Sequence, residues 1–168
     1  MVKTALRKDS AVKVFVGSDH RGVSFKNKIK DVLQAEGYEV TDVGTNDPEV
    51  GCDYPGIAYQ VATRVAASPE GRGVLVCLSG VGQAIAANKV PGAYAALCHN
   101  TEIARLSRQH NNANILVLGE RFVDPAELET ILKVWFSTPF EGGRHQRRID
   151  QIKAIERGLW HGAAPKSA

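Results

Sequence analysis

Five short apolar segments, rich in β-branched residues, alternate along the chain with stretches whose apolar residues recur at helical spacing. The segments are residues 12–18, 38–44, 73–79, 93–98 and 114–120. Strands that alternate with helices form a parallel sheet, because each strand returns to the sheet through a crossover helix. The sequence therefore predicts a three-layer α/β/α fold, in which a five-stranded, Rossmann-like parallel sheet carries helices on both faces.

The stretches between the segments also carry local signals for helix ends. Apolar residues fall on one helical face in residues 23–37, and Gly37 ends that pattern as a C-terminal cap. In residues 124–138, Asp124 is the predicted N-cap and Pro125 occupies the first helical position. These signals predict that the first helix ends at Gly37 and that a later helix begins at Asp124.

Size and composition fit a single globular domain. The chain has 168 residues, of which 43% are hydrophobic, and this is enough for one substantial core. We expect a flexible N-terminal extension at residues 1–11, one domain at residues 12–158 and a flexible tail at residues 159–168. No apolar run approaches the roughly 18–20 residues that a membrane span needs, so no membrane partner is expected.

Charge and cysteine content narrow the function classes. The net charge of +3 is spread along the chain and does not form the basic stripe that is typical of a nucleic-acid surface. The three cysteines are odd in number and lack metal-ligand spacing, which indicates a reduced, cytoplasmic protein without a cysteine metal site. A small anionic ligand suits the one local cluster of basic residues, 142–148, better than a nucleic acid does.

Polar, glycine-rich sequences follow the predicted strands, where ligands bind in open parallel sheets. After the third strand comes CLSGVG, residues 77–82, whose glycines let backbone N–H groups converge on an anion at a helix start. A tight turn without a ligand explains the same glycines. The P-loop pattern is absent, the glycine motif does not follow the first strand as a dinucleotide fingerprint does, and Gln83 stands where a cysteine phosphatase has arginine.

Several side chains near these strand ends allow both a structural and a chemical interpretation. Cys77 is either a buried filler or a thiol activated at a helix N-terminus. Asp19 is either the N-cap of the following helix, with no further role, or one member of a functional pair with His20. His110, near the end of a helical stretch, is either a partner of the helix dipole or a general acid/base. The residues alone leave these alternatives open.

Two arginines favour a phosphate ligand. Arg144 and Arg148 are four residues apart and therefore share one helical face, where paired guanidinium groups suit phosphate recognition. The alternative is a solvated basic helix start, but basic residues there oppose the helix dipole unless an anion offsets them. Arg121, directly after the fifth strand, is a candidate third charge.

The blocks GSDHRG, DYP, CLSGVGQAIAANK, LSRQHNNAN and EGGRHQRR together resemble the type B ribose-5-phosphate isomerase family, which includes galactose-6-phosphate isomerase subunits. The resemblance implies an aldose–ketose isomerase that moves a proton between C1 and C2 through a cis-enediolate and needs no metal or other cofactor. Ribose 5-phosphate and ribulose 5-phosphate are the expected substrates. The alternatives are another sugar phosphate, such as erythrulose 4-phosphate or allose 6-phosphate, and a sugar-phosphate-binding protein without catalysis.

The resemblance also implies residue roles. Cys77 is the expected base, because the position where another branch of the family carries a carboxylate is Gln83. His110 resembles the acid/base that opens the sugar ring, with Asp19 assisting. The loop at 78–82 is expected to stabilise the enediolate oxygen, Ser79 adding a hydroxyl. The expected substrate-binding residues are Asp19, His20, Tyr54, Leu78, Ser79, Gly80, Val81, Gly82, Asn111, Arg121, Arg144 and Arg148.

Two further expectations concern the pocket and the assembly. Many members of the cysteine branch have glycine directly after the cysteine, whereas this chain has Leu78, whose side chain would either narrow the pocket or tilt the loop. Family members are dimers or tetramers with active sites at the subunit interface, so we expect a homodimer or tetramer in which two chains complete each site. The last helix, which carries Arg144 and Arg148, is the segment expected to pack on the partner.

Overall fold

The computed structural model describes residues 12–162 and contains the predicted five-stranded parallel sheet, in the order β2-β1-β3-β5-β4. The strands are β1 (Lys13–Ser18), β2 (Glu39–Asp42), β3 (Arg72–Cys77), β4 (Ala95–Cys98) and β5 (Ile115–Gly119). The helices are α1 (Val23–Ala35), α2 (Tyr54–Ala66), α3 (Val81–Ala87), α4 (Thr101–Asn111), α5 (Leu128–Ser137) and α6 (Arg144–Glu156), and a short 3₁₀ turn, His20–Gly22, precedes α1. The predicted extension at residues 1–11 and residues 163–168 of the predicted tail lie outside the described residues.

The core forms two layers because successive side chains of each strand point to opposite faces of the sheet. Val74 and Val76 of β3 pack with residues of α1, α4 and α5, around the fully buried Trp135. Leu75 faces the other way and packs with residues of α2 and α3. The three-layer architecture is thus the predicted one. Within residues 12–162 we find no helix with the length and hydropathy to cross a bilayer.

The predicted end of α1 is confirmed and has the hydrogen bonds of a Schellman motif. Gly37 adopts a left-handed conformation with φ of 88°. Its N–H donates to the Gln34 carbonyl at 3.0 Å, and the Tyr38 N–H donates to the Leu33 carbonyl at 3.1 Å. Glycine is required here because residues with a Cβ atom rarely adopt this φ.

The predicted start of α5 is wrong. Asp124 stabilises a separate turn: its side chain accepts the Ala126 N–H at 2.9 Å, and its carbonyl accepts the Glu127 N–H at 2.9 Å. The α-helix begins only at Leu128, after this turn. Asp-Pro is a signal for turns as well as for helix starts, and here the turn occupies these residues.

The crevice in this sheet lies between β1 and β3. The chain runs from β1 through α1 to β2 on one side, and then through α2 to β3 on the other side of β1, so the strand order reverses there. Ser18 pairs with Val76 in the parallel register, and the next residues along the two strands are Asp19 and Cys77. The fold therefore brings the ends of the GSDHRG and CLSGVG strands together at the carboxyl edge of the sheet.

A fully buried lysine fastens the loop after β2 to this edge. Lys26 in α1 donates through Nζ to Asp42 Oδ1 at 2.9 Å, to Asn46 Oδ1 at 3.0 Å and to the Thr45 carbonyl at 2.5 Å. The loop in turn lies against β1, since the Thr45 N–H donates to the Ser18 carbonyl at 3.2 Å. The sequence alone had not suggested a buried role for this lysine, because lysines are normally exposed.

Asp42 gives this cluster a pH dependence. Burial by itself would raise the pKa of Asp42, but the hydrogen bonds from Lys30, Lys26 and the Gly44 N–H together outweigh burial and lower the pKa. A carboxylate whose pKa is lower in the folded state stabilises the fold above its unfolded pKa, which is about 4. That contribution is lost as the pH falls through the folded-state pKa.

We predict that Lys26→Met lowers the free energy of unfolding by about 2–3 kcal/mol, because it takes the donor from the half-buried Asp42 and Thr45 and from the exposed Asn46. Urea denaturation at pH 7 measures the loss. Lys30→Met is the matched control: Lys30 contacts the same carboxylate at 2.8 Å but keeps a quarter of its side chain exposed, so its loss should cost less than about 1 kcal/mol. Equal losses in the two variants would contradict this account of the loop.

Candidate active site

The turn after β3 brings a backbone N–H group onto a thiol. Gly80 adopts a left-handed conformation with φ of 81°, and its N–H donates to Cys77 Sγ at 3.1 Å. This conformation favours glycine, and a Cβ atom at Gly80 would in addition lie 2.5 Å from Leu97 Cδ1, so the Leu97 side chain would have to move. Cys77 is 7% exposed and lies at the carboxyl edge of the sheet.

Two more glycines hold the same turn in place. Gly119 of β5 pairs with Cys77 in register, and a Cβ atom at Gly119 would lie 2.5 Å from the Ser79 carbonyl oxygen. A Cβ atom at Gly82 would lie 2.6 Å from Cζ of Tyr54. The loop therefore packs closely against β5 on one side, and the Tyr54 ring at the start of α2 lies against its other end.

The start of α3 offers N–H donors beside the thiol. The Val81 N–H donates weakly to Ser79 Oγ, at 3.4 Å. The N–H groups of Gly82 and Gln83 belong to the first turn of the helix, where N–H groups have no partner within the helix. Leu78 and Val81, at the two ends of the loop, are 38% and 49% exposed. An anionic oxygen that enters the crevice meets these donors next to the sulfur.

Gln83 anchors α3 to the strand that carries the thiol. Its side chain is fully buried, and Nε2 donates to the Val76 carbonyl at 2.9 Å, one residue before Cys77. Oε1 has no hydrogen-bond partner among residues 12–162. A neutral amide at this position holds the turn but supplies no base.

Asp19 and His20 occupy the adjacent end of β1. Asp19 is 8% exposed, and Oδ1 accepts the N–H groups of Arg21 at 3.1 Å and Gly22 at 3.3 Å, so it is at least a cap for the 3₁₀ turn. His20 Nδ1 accepts the Cys52 N–H at 3.3 Å, which leaves the ring proton of a neutral imidazole on Nε2 as a donor. Both residues lie at the crevice between β1 and β3.

The backbone of Arg121 lies beside the same loop, because its N–H donates to the Leu78 carbonyl at 3.2 Å. The Arg121 side chain is exposed. One edge of the chain thus collects a first group of predicted site residues, which we name the thiol half-site. Its members are Asp19, His20, Tyr54, Cys77, Leu78, Ser79, Gly80, Val81, Gly82 and Arg121.

His110 and Asn111 lie at the opposite edge of the sheet. Helix α4 starts after the carboxyl end of β4 and ends just before β5 begins at Ile115. Ile115 pairs with Gly73 near the start of β3, so the end of α4 lies at the amino edge of the sheet. The two edges are separated by the length of β3, whose six residues span roughly 20 Å. Within one chain, the structure therefore does not bring His110 and Asn111 to the thiol.

The two predicted phosphate-binding arginines of α6 lie with His110. Arg144 and Arg148 are exposed and belong to the first turns of the helix. Between them, His145 is 4% exposed and stacks on His110, with ring centroids 4.2 Å apart and planes 8° apart. We name His110, Asn111, Arg144 and Arg148 the histidine half-site.

The sequence of this chain matches the family model described as Ribose/Galactose Isomerase over residues 14–152. The chain belongs to the ribose/galactose isomerase family. It is 44% identical over 144 residues to ribose-5-phosphate isomerase B of Escherichia coli, covering 86% of this chain and 96% of that protein. It is 42% identical over 145 residues to a putative sugar phosphate isomerase of Bacillus subtilis, covering 86% of this chain and 97% of the relative.

Solved structures agree with this membership. Ribose-5-phosphate isomerase B of Clostridium thermocellum superposes with a TM-score of 0.85 at 45% identity, covering 89% of this chain and 100% of that one. The enzyme of Mycoplasma genitalium, solved with bound ribulose-5-phosphate, has a TM-score of 0.85 at 42% identity, with 89% and 99% covered. The two half-sites thus belong to a ribose/galactose isomerase fold.

Sequence reasoning missed two residues of this isomerase-family chain that contact His110. Glu141 Oε2 lies 3.5 Å from His145 Nε2 and 3.9 Å from His110 Nε2, and the Glu141 N–H donates to the Gln109 carbonyl at 3.0 Å. Burial, His110 and Arg144 lower the pKa of His145, and Glu141 opposes them in part. Both residues belong to EGGRHQRR, but helical spacing singled out only the arginines of that motif.

The other cysteines of this isomerase-family chain have different surroundings. Cys98 is fully buried, and burial raises its pKa to about 11 despite a hydrogen bond with Ser107, so it is protonated at neutral pH. Cys52 is half-buried and donates its N–H to His20. Cys77 differs from both because its sulfur accepts an N–H from a glycine turn at the crevice.

Proposed function

We propose that this chain is an aldose–ketose isomerase that interconverts ribose 5-phosphate and ribulose 5-phosphate. The observation that carries the proposal is the Cys77 sulfur that accepts the Gly80 N–H, beside the N–H groups of the first turn of α3 at the crevice of the sheet. Its family membership and the ribulose-5-phosphate bound to the Mycoplasma genitalium relative support the choice of substrate. The three cysteines are free, and we place the enzyme in the reducing cytoplasm with residues 12–158 as its catalytic domain.

Cys77 acts as the base for the proton transfer between carbons. The sulfur takes the proton from C2 of the open-chain aldose, and the electron pair left behind moves through C1 to O1, which gives the cis-enediolate with its negative charge on O1. A proton then passes from the O2 hydroxyl to O1, the sulfur gives a proton to C1, and the bond between C2 and O2 becomes the ketose carbonyl. N–H groups of the loop at 78–82, with the Ser79 hydroxyl, stabilise the oxygen on which negative charge develops.

His110 opens the ring of the sugar before this step. A furanose opens when one group removes the proton from the C1 hydroxyl and a proton reaches the ring oxygen, and an imidazole carries out both tasks at neutral pH. Asn111 holds substrate oxygens, and Asp19 assists from the thiol half-site. A four-carbon 4-phosphate cannot form a furanose, so the presence of His110 favours a cyclisable substrate.

The phosphate is bound by cationic side chains that do not take part in the chemistry. Arg144 and Arg148 present guanidinium groups from one face of α6, and His20 and Arg121 add donors from the thiol half-site. Because the phosphate keeps its charge throughout the reaction, these residues bind the ground state and the transition state equally. Their loss therefore raises KM more than it lowers kcat.

A second copy of the chain completes each site. The two half-sites are separated by the length of β3, roughly 20 Å, and a pentose phosphate is too short to reach both. Each site therefore combines Cys77 of one chain with His110 of another. Helix α6 supports this, since Ile152 is 40% exposed and Ile155 is 58% exposed on its apolar stripe. A homodimer is the smallest assembly that joins a thiol half-site to a histidine half-site, and two such dimers make a tetramer.

We predict that the purified protein turns over ribose 5-phosphate faster than erythrose 4-phosphate or allose 6-phosphate, and that Cys77→Ala abolishes turnover of all three. Calorimetry should still detect sugar-phosphate binding by Cys77→Ala, because the arginines are intact. Cys52→Ala is the matched control and should keep at least about half of the activity, because it removes only a half-buried side chain and keeps the backbone N–H that donates to His20. Retained activity in Cys77→Ala would assign the base to another residue, and faster turnover of another sugar would overturn the substrate.

We also predict that two inactive variants restore activity when mixed. Cys77→Ala and His110→Ala are each inactive on the cyclic substrate, but a hybrid dimer holds one site with both residues intact. Unfolding and refolding an equal mixture should therefore recover about one quarter of the wild-type activity, as expected for random pairing in a two-fold dimer. Each variant refolded alone is the control. A mixture that stays inactive would contradict a site shared between chains.

A further inference from the structure

His110 and two neighbouring side chains form a cluster, and the proposed isomerisation uses only His110 of the three. His110, Glu141 and His145 each offer one donor atom, and these atoms all lie within 4.8 Å of one another. Glu141 Oε2 faces the Nε2 atoms of both rings, 3.5 Å from that of His145 and 3.9 Å from that of His110. We name these residues the His–Glu–His cluster.

The contacts inside the cluster are too long to satisfy its donor atoms. His145 Nε2 faces Glu141 Oε2 and Arg144 Nε, both at 3.5 Å, whereas N–H···O bonds in proteins have lengths of about 2.7–3.2 Å. His145 is nevertheless 4% exposed, so water has little access to the ring. Among the described residues, the Nε2 atom of this buried imidazole thus has two long contacts, a weak hydrogen bond from Arg144 Nε and the Glu141 carboxylate, and a ligand at a shorter distance would bind it more strongly.

The donor set fits a zinc-type cation. Two imidazole nitrogens and one carboxylate oxygen are the three protein ligands of many zinc sites that leave a fourth position open. Donors bound tetrahedrally at about 2.0–2.1 Å lie about 3.3–3.4 Å apart. The two separations from Glu141, 3.5 and 3.9 Å, exceed this by tenths of an ångström, and all three donor atoms lie within 4.8 Å of one another, so the two imidazoles have to approach each other. Hard cations such as Mg²⁺ prefer oxygen ligands and do not match this set.

Only the exposed members of the cluster have to move. The two imidazole rings are nearly parallel, so the lone pairs of their nitrogens do not point at a common position. One ring has to rotate before both nitrogens can bind the same ion. His110 and Glu141 have 36% and 48% of their side chains exposed and are free to adjust, while the buried His145 provides a fixed ligand. Arg144 and Arg148 oppose a cation here. Arg144 Nε, 3.5 Å from His145 Nε2, has to turn away before an ion binds, and its exposed side chain is free to do so, while Arg148 is also exposed.

We propose that the His–Glu–His cluster binds one Zn²⁺ ion per chain, and that the ion inhibits the enzyme. Zinc would occupy Nε2 of His110 and so remove the imidazole that opens the sugar ring. The ion is an inhibitor, not a cofactor, because the proton transfer at Cys77 takes place at the other half-site. Binding of zinc stands on the cluster alone, whereas inhibition rests on the proposed function.

The direct test measures zinc binding without substrate, by competition with a chromogenic zinc chelator in phosphate-free buffer. Wild-type protein should bind about one ion per chain, and Glu141→Gln and His145→Gln should each weaken binding at least about tenfold, since each loses a ligand. Glu141 is exposed, so its variant tests the site even if His145→Gln disturbs folding. His99→Gln, an exposed histidine elsewhere, and Cys77→Ala, which removes the candidate thiol ligand, should bind zinc as the wild type does.

Three results of this test would overturn the proposed site. They are the absence of zinc binding by the wild type, equal zinc affinity in Glu141→Gln and the wild type, and loss of binding in Cys77→Ala alone. None of them depends on whether the protein is an isomerase, so failure of the zinc site and failure of the proposed function remain distinguishable.

A second measurement tests inhibition, by following ribose 5-phosphate isomerisation as zinc is added and then removed with EDTA. Wild-type activity should fall with the same midpoint as the binding curve and return with EDTA. Glu141→Gln should need about tenfold more zinc or more for the same inhibition, in proportion to its weaker binding. Full activity of the zinc-loaded wild type would overturn the inhibitory role.

Discussion

The hydrogen bond from the Gly80 N–H to the Cys77 sulfur is the interaction on which the rest of the site depends. It forms only because Gly80 takes a left-handed conformation, which reverses the chain between the end of β3 and the start of α3. Gly119 and Gly82 leave no room for side chains where β5 and Tyr54 press on the loop. Three glycines on different elements thus place one thiol, and the N–H donors of a helix start lie beside it.

The direction of the chain explains why one copy holds only half of the chemistry. Every strand of the parallel sheet ends at the carboxyl edge, so the turns after β1, β3 and β5 meet there. A crossover helix runs back toward the amino edge, and any residue at its end is carried away from those turns. His110 ends such a helix, and α6 then packs its arginines beside it. The separation of His110 from Cys77 within one chain is thus a consequence of the sheet topology. In the proposed dimer, the His110 of one copy lies beside the Cys77 of the other.

Much of the fold could be predicted from the sequence because its signals are local. Apolar runs marked all five strands, most of them rich in β-branched residues, and the polar motifs at their ends indicated the ligand-binding edge. The register that sets Asp19 beside Cys77, and the position of His110 at the far edge, follow from the topology of the folded sheet. Local signals failed where two structures compete for the same residues, as at Asp124 and Pro125, which form a turn before α5 and not its first residues.

The remainder depends on tertiary contacts that no local pattern contains. Lys26 looks like a surface lysine of an amphipathic helix until the loop after β2 folds over it and provides three acceptors. Glu141 and His145 become part of the site only because their segment docks on the end of α4 and the two imidazoles stack. Charge and spacing identified the arginines on either side, but burial of a histidine between them is set by packing.

The central claim is that the Cys77 sulfur carries a proton between C2 and C1 of a sugar phosphate, and exchange with solvent tests it most directly. Ribose 5-phosphate incubated with the enzyme in D₂O and followed by proton NMR should lose its C2 proton signal as deuterium enters through the enediolate. Cys77→Ala should leave that signal intact while still binding the sugar. Isomerisation without any deuterium in the product, or exchange that persists in Cys77→Ala, would contradict the claim.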